Sequence, residues 1–374
     1  MAYVANSSSL RIKNEKKIIS LIHREPLSRT EIAKMTGLTK AAVTIIVEEL
    51  IRRGTVTEER CGISKELSRG AGRTPILLRL CGDSIYFAGI NIKRTGIGIG
   101  LCNLCGDIVF EDYTDICEPG KAIPAICGIL RENIGKYGIP SEKICGISVV
   151  TPGPVDTENG VILNPPNFRQ WHGVNICREF AAFTDIPVTL TNVSSAYAAA
   201  EKYFGAAKKR GSFMTLLTDE GIGAGIMTGD SLFKGSCEIG HITVKYDGEK
   251  CECGNIGCLE KYASIPNILK GTRYKSWSEC IAAGDTGIIN READYLSSAI
   301  VTVTNIFNLD CAVLCGETAV GSADFISAVR KKTLEKMILK KDFEILTGIV
   351  SSFTLIPCAI GVHNFLNPNS DNYL

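Results

Sequence analysis

The chain has 374 residues, 45% of them apolar, and a formal net charge of +1. That length argues for two or three domains, and no apolar h-region opens the chain, which argues against a signal peptide. Sixteen cysteines in a long chain of this kind point to free thiols and a metal site in a reducing cytosol, and exclude a small disulfide scaffold.

The charge is unevenly placed. Residues 1–80 carry 15 Lys and Arg against 8 Asp and Glu, a net of +7, while the remainder carries 26 against 32, a net of −6. A basic head on an acidic body is the signature of a nucleic-acid-binding module joined to a separate domain. In the head, Ile18, Ile19, Leu21 and Ile22 recur at helical spacing between Asn14 and Glu25, and Pro26 ends that helix. Ser28-Arg29-Thr30-Glu31 reads as a capping box opening a second helix that runs to about Met35. Thr36-Gly37-Leu38 makes a tight turn, Thr39 caps a third helix with the apolar stripe Val43, Ile46, Val47, Leu50 and Ile51, and Gly54 closes it. Helix, short turn and helix make a helix-turn-helix, whose second helix enters the major groove. Thr39, Lys40, Ala41 and Thr44 on the exposed N-terminal half of that helix are therefore candidate DNA contacts, together with Arg29. Val56–Glu59 and Ile76–Leu80 read as the two strands of a wing. Between them, Arg69-Gly-Ala-Gly-Arg73-Thr-Pro is a basic stretch able to enter a narrow minor groove, where arginine is attracted.

From Ser84 short apolar runs alternate with helical stretches. YFAGINI and TGIGIGLCNL form an expected hairpin, with Cys102 and Cys105 as packing residues around its turn. Residues 121–137 read as a helix and 144–150 as a buried strand. A second set follows: SFMTLLT, IGAGIMT, a helix around 293–308, CAVLC at 311–315 and a helix from Ala323 to Met337. Strand–helix alternation in two successive sets means two α/β lobes around a cleft. The uncharged run 346–362 carries Ser351, Ser352, Thr354 and Pro357, so it reads as a buried strand leading into a helix and not as a membrane span.

Within the second set, Cys237–Glu260 (CEIGHITVKYDGEKCECGNIGCLE) places His241, Cys251, Cys253 and Cys258 inside eighteen residues. Three sulfurs and one imidazole are a tetrahedral Zn²⁺ set of the closed, structural type, and Gly254 and Gly257 can supply the positive φ angles of so short a loop. Glu238 and Glu260 flank the ligands, where two carboxylates held near one point could accept hydrogen bonds from a polyol.

Glu-x-Gly-His followed by Cys-x-Cys-Gly-x-x-Gly-Cys-Leu-Glu resembles the signature of the ROK family of sugar-responsive repressors and sugar kinases, and LSRTEIAKMTGLTKAAVTIIVEELIRRGTV resembles the winged helix-turn-helix of its repressor branch. The resemblance implies a winged helix-turn-helix over 1–80, with a Gly-Arg linker, and over 81–374 the two-lobed actin-like α/β ATPase fold. Lobe one would span about 81–192 plus the C-terminal helix, and lobe two about 193–355. It also implies zinc on His241, Cys251, Cys253 and Cys258, and sugar hydroxyls on Glu238, His241 and Glu260. Gly153 in Thr151–Asp156, Asn167 in Asn164–Phe168, and Asn192 join that set by the same resemblance.

ROK kinases take their general base from the Asp of an Asn-Asp pair opening an Ala-rich helix. Here Asn192 is followed by Val193, which cannot accept a proton. The family's Asp-x-Gly-x-Thr appears as Asn91-Ile92-Lys93-Arg94-Thr95, without the acid or the glycine. Asp219 and Glu220 stand where kinases place Gly and Thr before the Gly221-x-Gly223-x-Gly225 turn. These departures lead to a non-catalytic reading, with structural zinc and no ATP: a cytoplasmic, sugar-responsive repressor of carbohydrate-use genes. It would bind a palindromic operator as a homodimer or dimer of dimers and contact no membrane. The alternatives are an ATP-dependent sugar kinase with an appended DNA-binding head, and a regulator controlled by a protein partner.

Overall fold

A computed structural model describes residues 7–60, 76–235, 237–338 and 342–367. Arg69 and Arg73 lie outside the described residues. The head is built from α1 (Ser7–Arg24), α2 (Arg29–Thr36), α3 (Lys40–Arg52), β1 (Val56–Arg60) and β2 (Ile76–Leu80). The expected capping box is formed: Glu31 N–H donates to the Ser28 hydroxyl, and Ser28 N–H donates to the Glu31 carboxylate at 2.8 Å. Gly37 closes α2 in the left-handed region at φ 74°, and the Thr39 hydroxyl caps α3 by accepting from Ala42 N–H at 3.2 Å. Val43, Ile46, Val47 and Leu50 turn inward from α3. β1 and β2 pair antiparallel as the wing, which Leu27 extends through a bridge to Leu78. The predicted winged helix-turn-helix is therefore present. α1 begins well before Asn14, where the sequence pattern was first helical.

Lobe one carries β3 (Tyr86–Lys93), β4 (Gly96–Asn103), β5 (Ile108–Thr114), α4 (Pro119–Lys136), β6 (Ile144–Thr151), the ribbon β7 (Val155–Asp156) and β8 (Val161–Ile162), α5 (Ile176–Ala181) and β9 (Val188–Asn192). Its five-stranded sheet has the order β5-β4-β3-β6-β9, antiparallel through the β3–β4–β5 meander and parallel from β3 to β6 to β9. After α6 (Val193–Tyr203) the second lobe repeats the plan. It contains β10 (Phe213–Thr218), β11 (Ile222–Thr228), β12 (Ser231–Leu232), the short helices α7 (Glu260–Ala263), α8 (Ile265–Ile268) and α9 (Trp277–Ala282), α10 (Thr286–Phe307), β13 (Cys311–Gly316), α11 (Ala323–Lys336) and β14 (Glu344–Thr347). Its sheet order is β12-β11-β10-β13-β14. α10 starts earlier than the apolar run suggested, because the Asp285 carboxylate accepts from Ile288 N–H at 3.1 Å and fixes the first turn there.

Two strands of chain connect the lobes. One is the β9–α6 junction, and the other is the 348–354 segment that leads from β14 into α12 (Leu355–Leu366). Glu201 near the end of α6 holds both. Its buried carboxylate accepts from Ile349 N–H and Val350 N–H, each at 2.9 Å, and from Ala206 N–H at 2.7 Å. Burial raises this carboxyl, and the three backbone donors pull it down.

The head and the body share one apolar cluster. Ile18, Ile22, Val47 and Leu50 of the head belong to the same buried set as Ala199, Tyr203, Ile360 and Phe365 of α6 and α12. At the seam, His23 Nε2 lies 3.1 Å from the Leu104 carbonyl and its ring meets Tyr203 edge-on at 5.5 Å. The Tyr203 hydroxyl reaches His363 Nδ1 at 3.1 Å. Arg24 pairs with Asp230, and Lys209 with Glu25 at 3.0 Å.

Burial lowers both histidines to about 4 from an ordinary value of 6.5. For His23, Lys208 and Arg24 add to the effect and the Leu104 carbonyl opposes it; for His363, Asp230 opposes it and Lys202 adds to it. The unfolded chain therefore binds more protons than the folded one between those values. Stability should be full above pH 6.5 and fall as pH drops towards 4, by ~3 kcal/mol per histidine at the limit. In urea titrations across that range, His23→Gln should flatten the pH dependence; an unchanged slope would refute a role for this imidazole.

Candidate sugar and zinc site

The β11 edge of lobe two carries the site. Residues 239–241 form one turn of 3₁₀ helix after Glu238, and the chain then loops out and returns through Cys258 into α7. Asn255 ties the loop together by donating to the His241 carbonyl at 3.2 Å and to the Thr243 hydroxyl at 3.0 Å. Gly257 is at φ +72° with the Lys245 carbonyl oxygen 1.6 Å from where a Cβ would stand, so only glycine fits.

The ligand atoms of His241, Cys251, Cys253 and Cys258 all lie within 4.8 Å of one another. Cys253 Sγ is 3.7 Å from Cys258 Sγ, and Cys251 Sγ is 3.6 Å from His241 Nδ1. A tetrahedral ion with Zn–S of about 2.3 Å and Zn–N of about 2.0 Å has edges of about 3.8 Å between sulfurs and about 3.5 Å between sulfur and nitrogen. The donor set and these spacings fit Zn²⁺. His241 would bind through Nδ1, leaving Nε2 for another partner. Desolvation and the neighbouring thiols push Cys258 up to about 12 in the metal-free loop, so a cation is what makes three thiolates compatible there. With all four positions filled by protein, such an ion holds shape and offers no open site for a reacting ligand.

Beside the loop, Glu260 Oε2 accepts from Ile222 N–H at 2.8 Å and lies against Gly221 and Gly240. Water reaches Glu238, but the protein around it is dense. Desolvation raises its carboxyl, His241 lowers it, and Glu260 raises it again. Glu238, His241 and Glu260 thus converge on the β10–β11 turn.

Asn192 ends β9 opposite Thr151 of β6, two residues before Gly153, and so brings lobe one to the same region. Its Oδ1 caps α6, accepting from Ser195 N–H at 2.7 Å, a structural duty that the sequence reading did not assign. Val193 is half-buried and packs on the cluster formed by Leu217, Phe213 and Ala198. Ser194 fills the space left by Gly223 and Gly225 of β11. Asn167 sits exposed at φ 57° in the loop 164–168.

Arg94, in the β3–β4 turn, joins the two sides: Nη1 meets Glu220 at 3.0 Å and Nη2 donates to the Pro166 carbonyl at 3.2 Å. In the sequence Arg94 is only the residue after Lys93, which stands at the family's glycine; its partner Glu220, over a hundred positions away, becomes visible only in the fold. Asp219 turns inward. Its Oδ1 accepts from Glu317 N–H at 2.7 Å, at the start of the turn 317–320, and burial raises this carboxyl while Glu317 N–H and Lys93 lower it.

In the head, Lys40, Ala41 and Thr39 are exposed on the outer side of α3 beside Ile45, while the Thr44 hydroxyl donates to the Lys40 carbonyl at 2.9 Å. Arg29 is paired with Glu58 of the wing.

The family model described as ROK matches residues 87–351. The chain belongs to the ROK family. A relative, the xylose repressor of Caldicellulosiruptor bescii, is 29% identical over 343 residues, 83% of this chain and 84% of that protein. Among solved structures, a ROK family transcriptional regulator described as a homologue of the E. coli MLC protein superposes with a TM-score of 0.78, covering 96% of this chain and 97% of that one at 24% identity. A ROK hexokinase from Thermus thermophilus superposes at 0.64 over 75% of this chain and 97% of its own, at 22% identity. The regulator shares the fold with the head included, and the kinase shares the body. The family thus contains both repressors and kinases.

Cys253→Ser removes one sulfur from the four-ligand set. The parent should carry one ion per chain by inductively coupled plasma mass spectrometry, and the purified variant almost none, with a lower melting temperature. Full zinc occupancy in the variant would overturn the ligand assignment.

Proposed function

We propose that this protein is a DNA-binding transcriptional repressor of carbohydrate-use genes, whose kinase-like body senses a sugar without phosphorylating it. Val193 carries the reading. It occupies the position of the family's catalytic base, and its side chain is spent on an apolar cluster. A positioned general base is worth roughly 10²–10⁴ in rate, and a valine supplies none of it. Two further contacts support this. Asp219 already occupies the Glu317 N–H that an anion could use, and Arg94 with Glu220 bridges the loops where a nucleotide's phosphates would enter. No ATP is required in this account.

The sugar would lie between Glu238, His241 and Glu260 on one side and Gly153, Asn167 and Asn192 on the other. Zinc on His241, Cys251, Cys253 and Cys258 would hold the loop that presents the first three. The names of relatives, xylose repressor and N-acetylglucosamine repressor among them, agree with a sugar effector. α6 runs about 16 Å from Asn192 at the cleft to Tyr203 at the head. A change in cleft geometry therefore reaches the head through one rigid element. Such coupling is typically worth ~1–3 kcal/mol. A homodimer, or a dimer of dimers, would set two α3 helices in major grooves about 34–36 Å apart on a palindromic operator, within the cytoplasm. No helix among the described residues is long and apolar enough to cross a membrane.

A thermal-shift panel of xylose, glucose and N-acetylhexosamines, followed by operator release measured by fluorescence anisotropy, tests the effector. One sugar should raise the melting temperature and change DNA affinity by about 5–150-fold; no shift with any of them would favour control by a protein partner. Sugar-dependent ADP formation by the pure protein would refute the non-catalytic reading in favour of a kinase with an appended head.

Lys40→Ala should weaken binding to all duplexes and lower the slope of log affinity against log salt by about one. Unchanged affinity would move the DNA contact away from the N-terminal half of α3.

A further inference from the structure

On the side of lobe one away from the zinc loop, α4, the lower half of β6 and the 183–186 segment leave a cavity of about 160 Å³. Leu130 and Ile134 of α4, Ile147 of β6, and Phe183 and Ile186 form its apolar wall, and Arg131 stands at its mouth. Protein interiors hold few voids larger than a water molecule. A void of about 150 Å³ lined by Leu, Ile and Phe stays dry and admits a benzene ring. This one opens outward: Phe183 is 42% exposed, and Arg131 is exposed beside it.

Among the described residues no carboxylate pairs with Arg131. Its charge reaches inward, since burial pushes the Cys127 thiol on the cavity wall up and Arg131 pulls it back. Asp185 lines the adjoining groove with Pro187 and Val188, on the far side of Ile186. An anionic group would thus be drawn to the Arg131 end, with its apolar part inside. The wall offers too few polar groups to hold a sugar's hydroxyls, which separates this place from the cleft in chemistry. β6 separates them in space: Ile147 lies at the cavity, and Thr151 opens the loop of Gly153.

We propose that this cavity is a second small-molecule site that takes a compact apolar carboxylate, a single aromatic ring or short branched chain, with its carboxylate on Arg131. The proposal does not depend on the sugar reading.

Isothermal titration of the full, zinc-loaded chain with benzoate and with benzamide tests it. Benzoate should saturate a single site and bind more tightly than benzamide. Arg131→Gln should weaken benzoate about tenfold, as loss of a charge-assisted pair requires, and leave benzamide within about twofold. Ile134→Trp fills the void and should abolish both while circular dichroism stays native; Cys127→Phe replaces it where tryptophan is not tolerated. Absence of saturable benzoate binding would overturn the site. Benzamide binding as tightly as benzoate would overturn the carboxylate class, and benzoate binding that survives a filled cavity would place the ligand elsewhere.

Discussion

Burial of α1 against α6 and α12 is the contact that turns two modules into one protein. Without it the DNA-binding head would hang from the body by the β2 end alone, and nothing in the cleft could reach α3. With it, one apolar cluster passes from Val47 under the recognition helix to Phe365 in lobe one, and the His23–Tyr203–His363 chain sits at its seam. An imidazole buried this deeply is neutral, so the seam behaves as apolar packing fixed in register by a few hydrogen bonds.

On the reading proposed above, the cleft keeps a kinase-like scaffold without its chemistry. The glycines of β11 still admit α6 at close range, and the carboxylates around His241 still converge. The β3–β4 and β10–β11 turns carry an ion pair and a buried acid of the protein's own. Asp219 accepts from a backbone N–H, and Glu220 pairs with Arg94. Val193 packs on apolar residues at a helix terminus that Asn192 caps.

Much of this was legible in the residues themselves. The capping box at Ser28, the cap at Thr39 and the left-handed Gly37 follow from local backbone chemistry, and each stands where the pattern put it. The cluster of His241, Cys251, Cys253 and Cys258 was legible because three cysteines and a histidine at that spacing make a metal-ligand set. What could not be read were pairings set by tertiary approach. Arg94 looks like an ordinary turn residue, and Glu201 like the last charge on an Ala-rich helix. Asn192 reads as a ligand candidate with no hint that its Oδ1 is committed to Ser195 N–H. The early start of α10 shows the same limit: the Asp285 cap extends the helix beyond its apolar stripe.

Glu201 bears on how such a body can move. Both covalent crossings between the lobes are fastened to this single carboxylate, through α6 itself and through Ile349 and Val350. Sliding one sheet past the other would tear those bonds, whereas a swivel about them leaves all three intact. The lobes are thus joined at a carboxylate close to Tyr203, on the helix that packs against the head.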